Sequence, residues 1–410
     1  MSLHRNVVSL LSGSAIAAVF VASAAHAQES TSDGFQFGVE LDAQYDSNVG
    51  NLSEERAASR GLQSDDIILT PSIFASVNKS FGRFQLRGNA SLGYNFYTDN
   101  SRLNSERALA DLTGETRLSL CTIQPGVSYR RQQSELGDRF FSDVQDVPLD
   151  NVQTVQRYAV DVACGKEFGL RALAGAAYEE GENSAVQREF SDYNRKTYTA
   201  GLGYQHPSLG QWDLFASKEN TEYDNRILDG FMDSYDVQRY GVSVSRNTGA
   251  RITARVSAFY IDVDAPATAN RNFNGLGWDV GVTARVGART SFFYNMGQDV
   301  QPVLNNDAIY QKNRDWGAGA SYAVSERTTL SGSYRRSKRD YVYSDFLPPE
   351  EANPLLGDIF DRIDASADFK TAGPLEYSLY GGYERRSSND SFYQYDGIFA
   401  GVRVRYLLGR

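Results

Sequence analysis

The sequence predicts an all-β chain: an antiparallel transmembrane β-barrel of about eighteen strands, with sixteen as the alternative count. Three observations carry this expectation. Apolar and polar residues alternate with period two along most of the chain, as they do when successive strand side chains point to opposite faces. Short turn-like spacers alternate with longer polar ones. Mean hydropathy is only −0.45 and 22% of residues are charged, yet Tyr and Phe are abundant (25 and 22) while Cys, Met, Pro and Trp are scarce. A barrel wall accounts for that composition, because only alternate residues of each strand face lipid.

The chain opens with a basic n-region (His4, Arg5), an apolar run around Val7 to Ala24, and the small-x-small site Ala25-His26-Ala27. This predicts a signal peptide over 1–27, rather than a retained membrane anchor, cut between Ala27 and Gln28. The barrel then takes 28–410 as one domain. After residue 27 no apolar run comes near the roughly 20 residues of a transmembrane helix.

Strands are predicted at 35–48, 66–78, 84–97, 106–121, 126–134, 152–163, 170–181, 195–205, 211–220, 236–245, 251–262, 274–285, 289–298, 313–323, 328–337, 359–369, 375–386 and 393–406. The first is the clearest: Phe35, Phe37, Val39, Leu41, Ala43 and Tyr45 alternate with Gln36, Glu40, Asp42, Gln44 and Asp46. The same pattern recurs in 84–97, 108–121, 276–286 and 363–370. Short turns fall at 78–83, 122–126, 164–169, 206–211, 246–250, 286–289, 324–328 and 370–374. The longest of the long loops is 338–358, with Pro348 and Pro349. Short periplasmic turns and long outer loops are the rhythm of outer-membrane barrels. The last strand puts Val402, Val404 and Tyr406 on one face, similar to the C-terminal strand read by the outer-membrane assembly machinery, although four residues follow Tyr406.

A soluble sandwich would turn the apolar face inward. Here the opposite face carries so many ions that an apolar face against lipid and a charged face lining a lumen is the better reading. The basic wall residues are Arg87, Arg117, Arg130, Arg157, Arg255, Arg285, Arg335, Arg362, Arg403 and Arg405. The acidic ones are Glu40, Asp42, Asp111, Glu115, Asp161, Asp213, Glu219, Asp279, Asp364, Asp368 and Glu376. Cross-strand pairing that holds the wall in shape, at roughly 0.2–1 kcal/mol a pair, is the simpler role for any one of them. A charge ladder that escorts a solute is the sharper one.

Little points to chemistry. Once the leader is gone the only histidine is His206, in a predicted periplasmic turn. Carboxylates at i, i+2 spacing are what a polar strand face looks like, so no catalytic residue, metal site or cofactor is expected. The oxygen-rich stretches 262–266 and 305–308 match no calcium loop of defined spacing. A net charge of −10 with no basic block argues against nucleic acid. Cys121 and Cys164, in an exported chain, suggest a disulfide. On the predicted boundaries the strand 126–134 lies between them, so they would meet over a turn at the periplasmic rim, with two free thiols as the alternative.

Tyr45-Asp46-Ser47-Asn48-Val49 at the end of the first strand resembles the β-barrel porins found with exopolysaccharide synthesis and export genes in proteobacteria. So do Arg130-Arg131-Gln132-Gln133-Ser134-Glu135-Leu136 and one Cys before each of two turns. The resemblance implies an outer-membrane barrel that passes polysaccharide or assists its secretion; the expectation adopted is a monomeric channel, with outer-membrane lipid, polysaccharide and periplasmic export components as partners. It carries no catalytic residues. The alternatives are a general or small-solute diffusion porin with 338–358 as its constriction, and a plugged structural or adhesive barrel whose outer loops bind a partner.

Overall fold

A computed structural model describes residues 34–409 except 60, 135–150, 229–230, 250, 267–271, 304–307, 344–355 and 390. The signal segment, the Ala27/Gln28 cleavage site and most of the 338–358 loop lie outside the described residues. Within them stand eighteen strands: β1 (Gly34–Asp46), β2 (Asp66–Phe81), β3 (Phe84–Tyr97), β4 (Ser105–Leu118), β5 (Cys121–Gln133), β6 (Val152–Gly165), β7 (Gly169–Asn183), β8 (Tyr193–His206), β9 (Gly210–Leu228), β10 (Phe231–Thr248), β11 (Ile252–Asp264), β12 (Asn274–Val286), β13 (Thr290–Gln301), β14 (Tyr310–Ala323), β15 (Thr328–Val342), β16 (Gly357–Lys370), β17 (Leu375–Ser388) and β18 (Tyr395–Gly409). Each pairs antiparallel with its neighbours in sequence, and β1 closes on β18. Closure leaves no sheet edge, the condition for a sheet to cross a bilayer. A short helix, α1 (Glu54–Ser59), sits in the β1–β2 loop.

The alternation does what period two requires. Phe35, Phe37, Val39, Leu41 and Tyr45 face outward at 42–54% exposure, while Asp42, of the opposite parity, is 8% exposed. Two outward aromatic belts mark the lipid boundaries. Tyr204, Trp212, Tyr322, Tyr377 and Tyr406 lie toward the short turns, and Tyr94, Tyr158, Tyr198, Tyr240 and Tyr260 toward the long loops; all are exposed. Val402 and Tyr406 project outward from β18, which continues past Tyr406 to Gly409.

Three expectations need correction. The stretch 122–126 is not a turn: the chain reverses at Ser119–Leu120, with Ser119 at φ 54°, and Pro125 lies inside β5. The β4–β5 ladder is broken between Thr113↔Gly126 and Thr116↔Ile123, as a proline without an N–H requires. The segment 221–235 is mostly strand, because β9 and β10 extend beyond the lipid belt. Finally, no strand separates the two cysteines. With β5 starting at Cys121, that residue stands opposite Cys164 on the adjacent β6, Cα atoms 4.0 Å apart and the sulfurs bonded.

The bridge closes 43 residues of chain that include the β5–β6 loop. Reduction should therefore lower the urea midpoint of the folded barrel, with a loss on the order of 2–4 kcal/mol. Tryptophan fluorescence with and without reductant, beside a Cys121→Ser/Cys164→Ser double variant, checks this. Equal midpoints would show that the adjacent strand ladders already impose the constraint.

Candidate functional site: the barrel lumen

The candidate site is the inner wall, and most of its charges are already engaged. At the closing seam Glu40 stands opposite Arg405 and Asp42 opposite Arg403. Arg405 Nη2 is 2.7 Å from Glu40 Oε2, Arg403 Nη2 is 2.7 Å from Asp42 Oδ2, and Glu376 lies 3.9 Å from Arg405. Tyr380 donates its hydroxyl to Asp42, and the guanidiniums of Arg403 and Arg405 lie over the rings of Tyr380 and Phe74. On β16, Arg362 bridges Asp364 and Glu384 at 2.9 and 3.0 Å, and Asp368 accepts from Ser366 and Ser378. These residues pin strand to strand, the simpler of the two roles expected of them.

A second array was only partly visible in the sequence. Arg157, Glu179, Arg195, Glu219, Arg239 and Asp299 alternate in sign along the inner face from β6 to β10 and on to β13. Arg157 lies 3.4 Å from Glu179, which also pairs with Arg195. Arg195 is 3.7 Å from Glu219, Glu219 is 3.2 Å from Arg239, and Arg239 is 2.9 Å from Asp299. Glu219 is fully buried, and Glu179, Arg195 and Arg239 are nearly so. A third buried group, Arg339–Asp358–Arg386, ties β15 to β16 and β17. Arg157 and Glu219 belong to the predicted wall. The others were missed, although inward parity within their strands would have marked Glu179, Arg195 and Arg239.

Burial at this depth has a cause. The upper end of the β13–β14 hairpin turns into the bore. Val300 and Tyr310 have outward parity, yet both are fully buried, packed with Ile309 against the inward residues Tyr193, Tyr223, Tyr235, Val237, Phe259, Ile261 and Val263 of the β8–β11 wall. Nearer the tip, Val303 and Ala308 pack with Tyr341, Tyr343 and Tyr393. Polar staples hold the bend. Tyr223 donates its hydroxyl to the Ile309 carbonyl and accepts from the Val303 N–H, Arg226 donates to the Ala308 carbonyl at 3.2 Å, and Arg239 donates to the Val300 carbonyl at 3.1 Å. The constriction seen among the described residues is therefore this hairpin, while the expected one, 338–358, falls largely outside them.

Toward the periplasmic turns the wall is wet. The inward residues Asn89, Thr113, Arg117, Thr283 and Arg285 are exposed. A wall recess of about 320 Å³ is lined by Arg87, Asp111, Glu115, Gln124, Ser128, Arg157 and Asp161, among others. Arg87, Arg117 and Arg335 have no carboxylate within 4 Å among the described residues. Arg255 and Asp279 lie on the same inner face, one strand apart. Lumen-facing cations thus divide into a majority locked in pairs and a few presented to water.

Outside the belt, the β7–β8 loop carries Asp192, which accepts from the backbone and side-chain amides of Asn183. Burial pushes its carboxyl up to about 6 despite these bonds. The folded loop then holds a proton that the unfolded chain has already released between about pH 4 and 6. Loop stability is full below that window and falls as pH rises through it. Hydrogen-exchange protection of amides 184–192, corrected for intrinsic rates, should drop from pH 4 to pH 7; a flat profile, or the same drop in Asp192→Asn, would count against this.

Residues 154–341 match the Gram-negative porin family. With the closed ring of eighteen strands and the two aromatic belts, this settles the location. The chain is a bacterial outer-membrane β-barrel. Its apolar outer face meets the lipid of that membrane. Among solved structures, it is similar to OccK2 (OpdF) of Pseudomonas aeruginosa, in complex with glucuronate, at 13% identity and TM-score 0.46, covering 92% of this chain and 98% of that one. It is also similar to a BenF-like porin from Pseudomonas fluorescens Pf-5 at 12% and 0.46, covering 92% and 100%. The siderophore receptor PirA from Acinetobacter baumannii matches at 6% and 0.44, covering 93% and 81%. No curated protein gave a significant match.

Proposed function

We propose that this barrel is a passive diffusion channel for small polar solutes. The observation that carries the reading is the β13–β14 hairpin turned into the bore above a water-lined periplasmic half. An eighteen-stranded ring is wide enough for an aqueous channel, and a hairpin held across its upper part leaves room for small molecules rather than a polymer. Paired charges give the wall polarity of both signs with little net field, while Arg87, Arg117 and Arg335 offer donors along the way. In this reading the barrel works as a monomer, folded through its C-terminal strand by the assembly machinery.

Single-channel recording on the refolded Gln28–Arg410 chain tests it. Steady conductance, reduced by small sugars or organic ions and unaffected by neutral or anionic polysaccharide, is the expected result. Polysaccharide that blocks from one side and is released by voltage would restore the export role implied by the family resemblance. A silent bilayer would overturn both in favour of a plugged barrel.

A further inference from the structure

We propose that an outward-facing basic cluster on β14 and β15, made by Arg314, Arg336 and Lys338, binds the headgroup phosphate of an anionic lipid in the outer leaflet. The three share the parity of Tyr322 and Leu330, which face lipid. Trp316, level with Arg336, and Tyr334 one outward position below it meet edge to face, ring centroids 4.6 Å apart, at the outer aromatic belt. The cluster therefore sits where headgroups lie.

Its internal arrangement calls for an anion. Arg314 stands directly opposite Lys338 in the strand register, and Arg336 opposite Trp316 on the next outward rung. Like charges facing each other across a ladder are destabilising on their own. Local carboxylates only partly answer them. Asp340 lies 3.6 Å from Lys338 and is shared with Lys312 at 3.8 Å. Asp361 lies 3.8 Å from Arg336, already accepts the Tyr334 hydroxyl at 2.6 Å, and stands opposite a further cation, Arg385. Arg314 Nε donates to the neutral Gln298 Oε1. Among the described residues, four cations, Lys312 included, thus meet two carboxylates at 3.6–3.8 Å. A phosphate accepts from a planar guanidinium and an ammonium together, so one lipid headgroup satisfies the facing pair.

Another sector of this rim differs. On β10 and β11 the outward residues at the same level include Asp236, Asp262 and Asp264, with Lys218 held by Asp236 at 2.9 Å. That sector repels phosphate.

Native mass spectrometry of the full mature chain in neutral phosphatidylcholine nanodiscs doped with lipid A provides the test. Wild type should retain lipid A, and an Arg314→Ser/Lys338→Ser variant should retain roughly thirtyfold less, about fivefold for each basic residue near an anionic lipid surface. Lys218→Ser should retain it as wild type does. Arg314→Gln serves as a milder variant, and its heat-modifiable folded band shows that the barrel forms. Equal retention by wild type and the cluster variants would overturn the proposal. Equal retention of lipid A stripped of its phosphates would do the same, and displacement of the lipid by millimolar inorganic phosphate would reassign the site to a soluble anion.

Discussion

Tyr223→Phe combined with Arg226→Ala should turn a quiet channel into a flickering one of larger mean conductance. The two side chains supply three of the bonds that hold the β13–β14 hairpin in the bore: to Ile309, Val303 and Ala308. Arg226 also lies over the Tyr223 ring at 4.1 Å and pairs with Asp233. Two neutral bonds and one charged one contribute about 3 kcal/mol net, so the opening equilibrium should shift by roughly a hundredfold. The apolar packing of Val300, Ile309 and Tyr310 remains, so the hairpin opens transiently rather than staying out. Planar-bilayer recording reads this directly. Unchanged conductance and noise would show that the hairpin does not limit the current.

The second large effect is on stability. Arg195→Met removes the one cation between Glu179 and Glu219 on β7 and β9. Both carboxylates are almost wholly buried. Glu219 keeps its nearer partner, Arg239 at 3.2 Å, but Glu179 keeps only the longer contact, Arg157 at 3.4 Å. Breaking a buried network from one side costs about 3–5 kcal/mol, because the charge left behind has lost its water and its partner. Arg403→Met offers the contrast. It removes a short contact, 2.7 Å to Asp42, but its own side chain is 36% exposed and Asp42 keeps the Tyr380 hydroxyl as a donor, so the loss should be smaller, about 1–2 kcal/mol. Urea unfolding followed by fluorescence ranks the two. A larger loss for Arg403→Met would mean that the seam, not the buried ladder, governs barrel stability.

The second prediction concerns residues whose parity was readable and whose partners were not, whereas Tyr223 and Arg226 lie beyond the predicted strand 211–220. The odd positions of β7, β8 and β10 mark Glu179, Arg195 and Arg239 as inward. Nothing local distinguishes them from Arg87 or Arg117, which face water. The difference lies in what fills the bore opposite each one. The cysteines make the same point at short range. The sequence placed both at the periplasmic rim, but a Pro-Gly pair drew the turn to 122–126, and only the ladder, opened at Pro125, shows that they are cross-strand neighbours.

Fold class, strand number, the split into short turns and long loops, and the lipid-facing side follow from the sequence by itself. Each depends on a period of two residues or on a local reversal, and neither needs a distant partner to be recognised. The tertiary structure alone decided the inward hairpin, the pairing of wall charges and the few cations left for solute. Val300 and Tyr310 carry the outward side of the alternating code and are nevertheless buried. Parity states which face of its own strand a side chain occupies, whereas burial depends on where the whole strand goes, and that is set by contacts between β13–β14 and walls as many as 86 residues away in sequence.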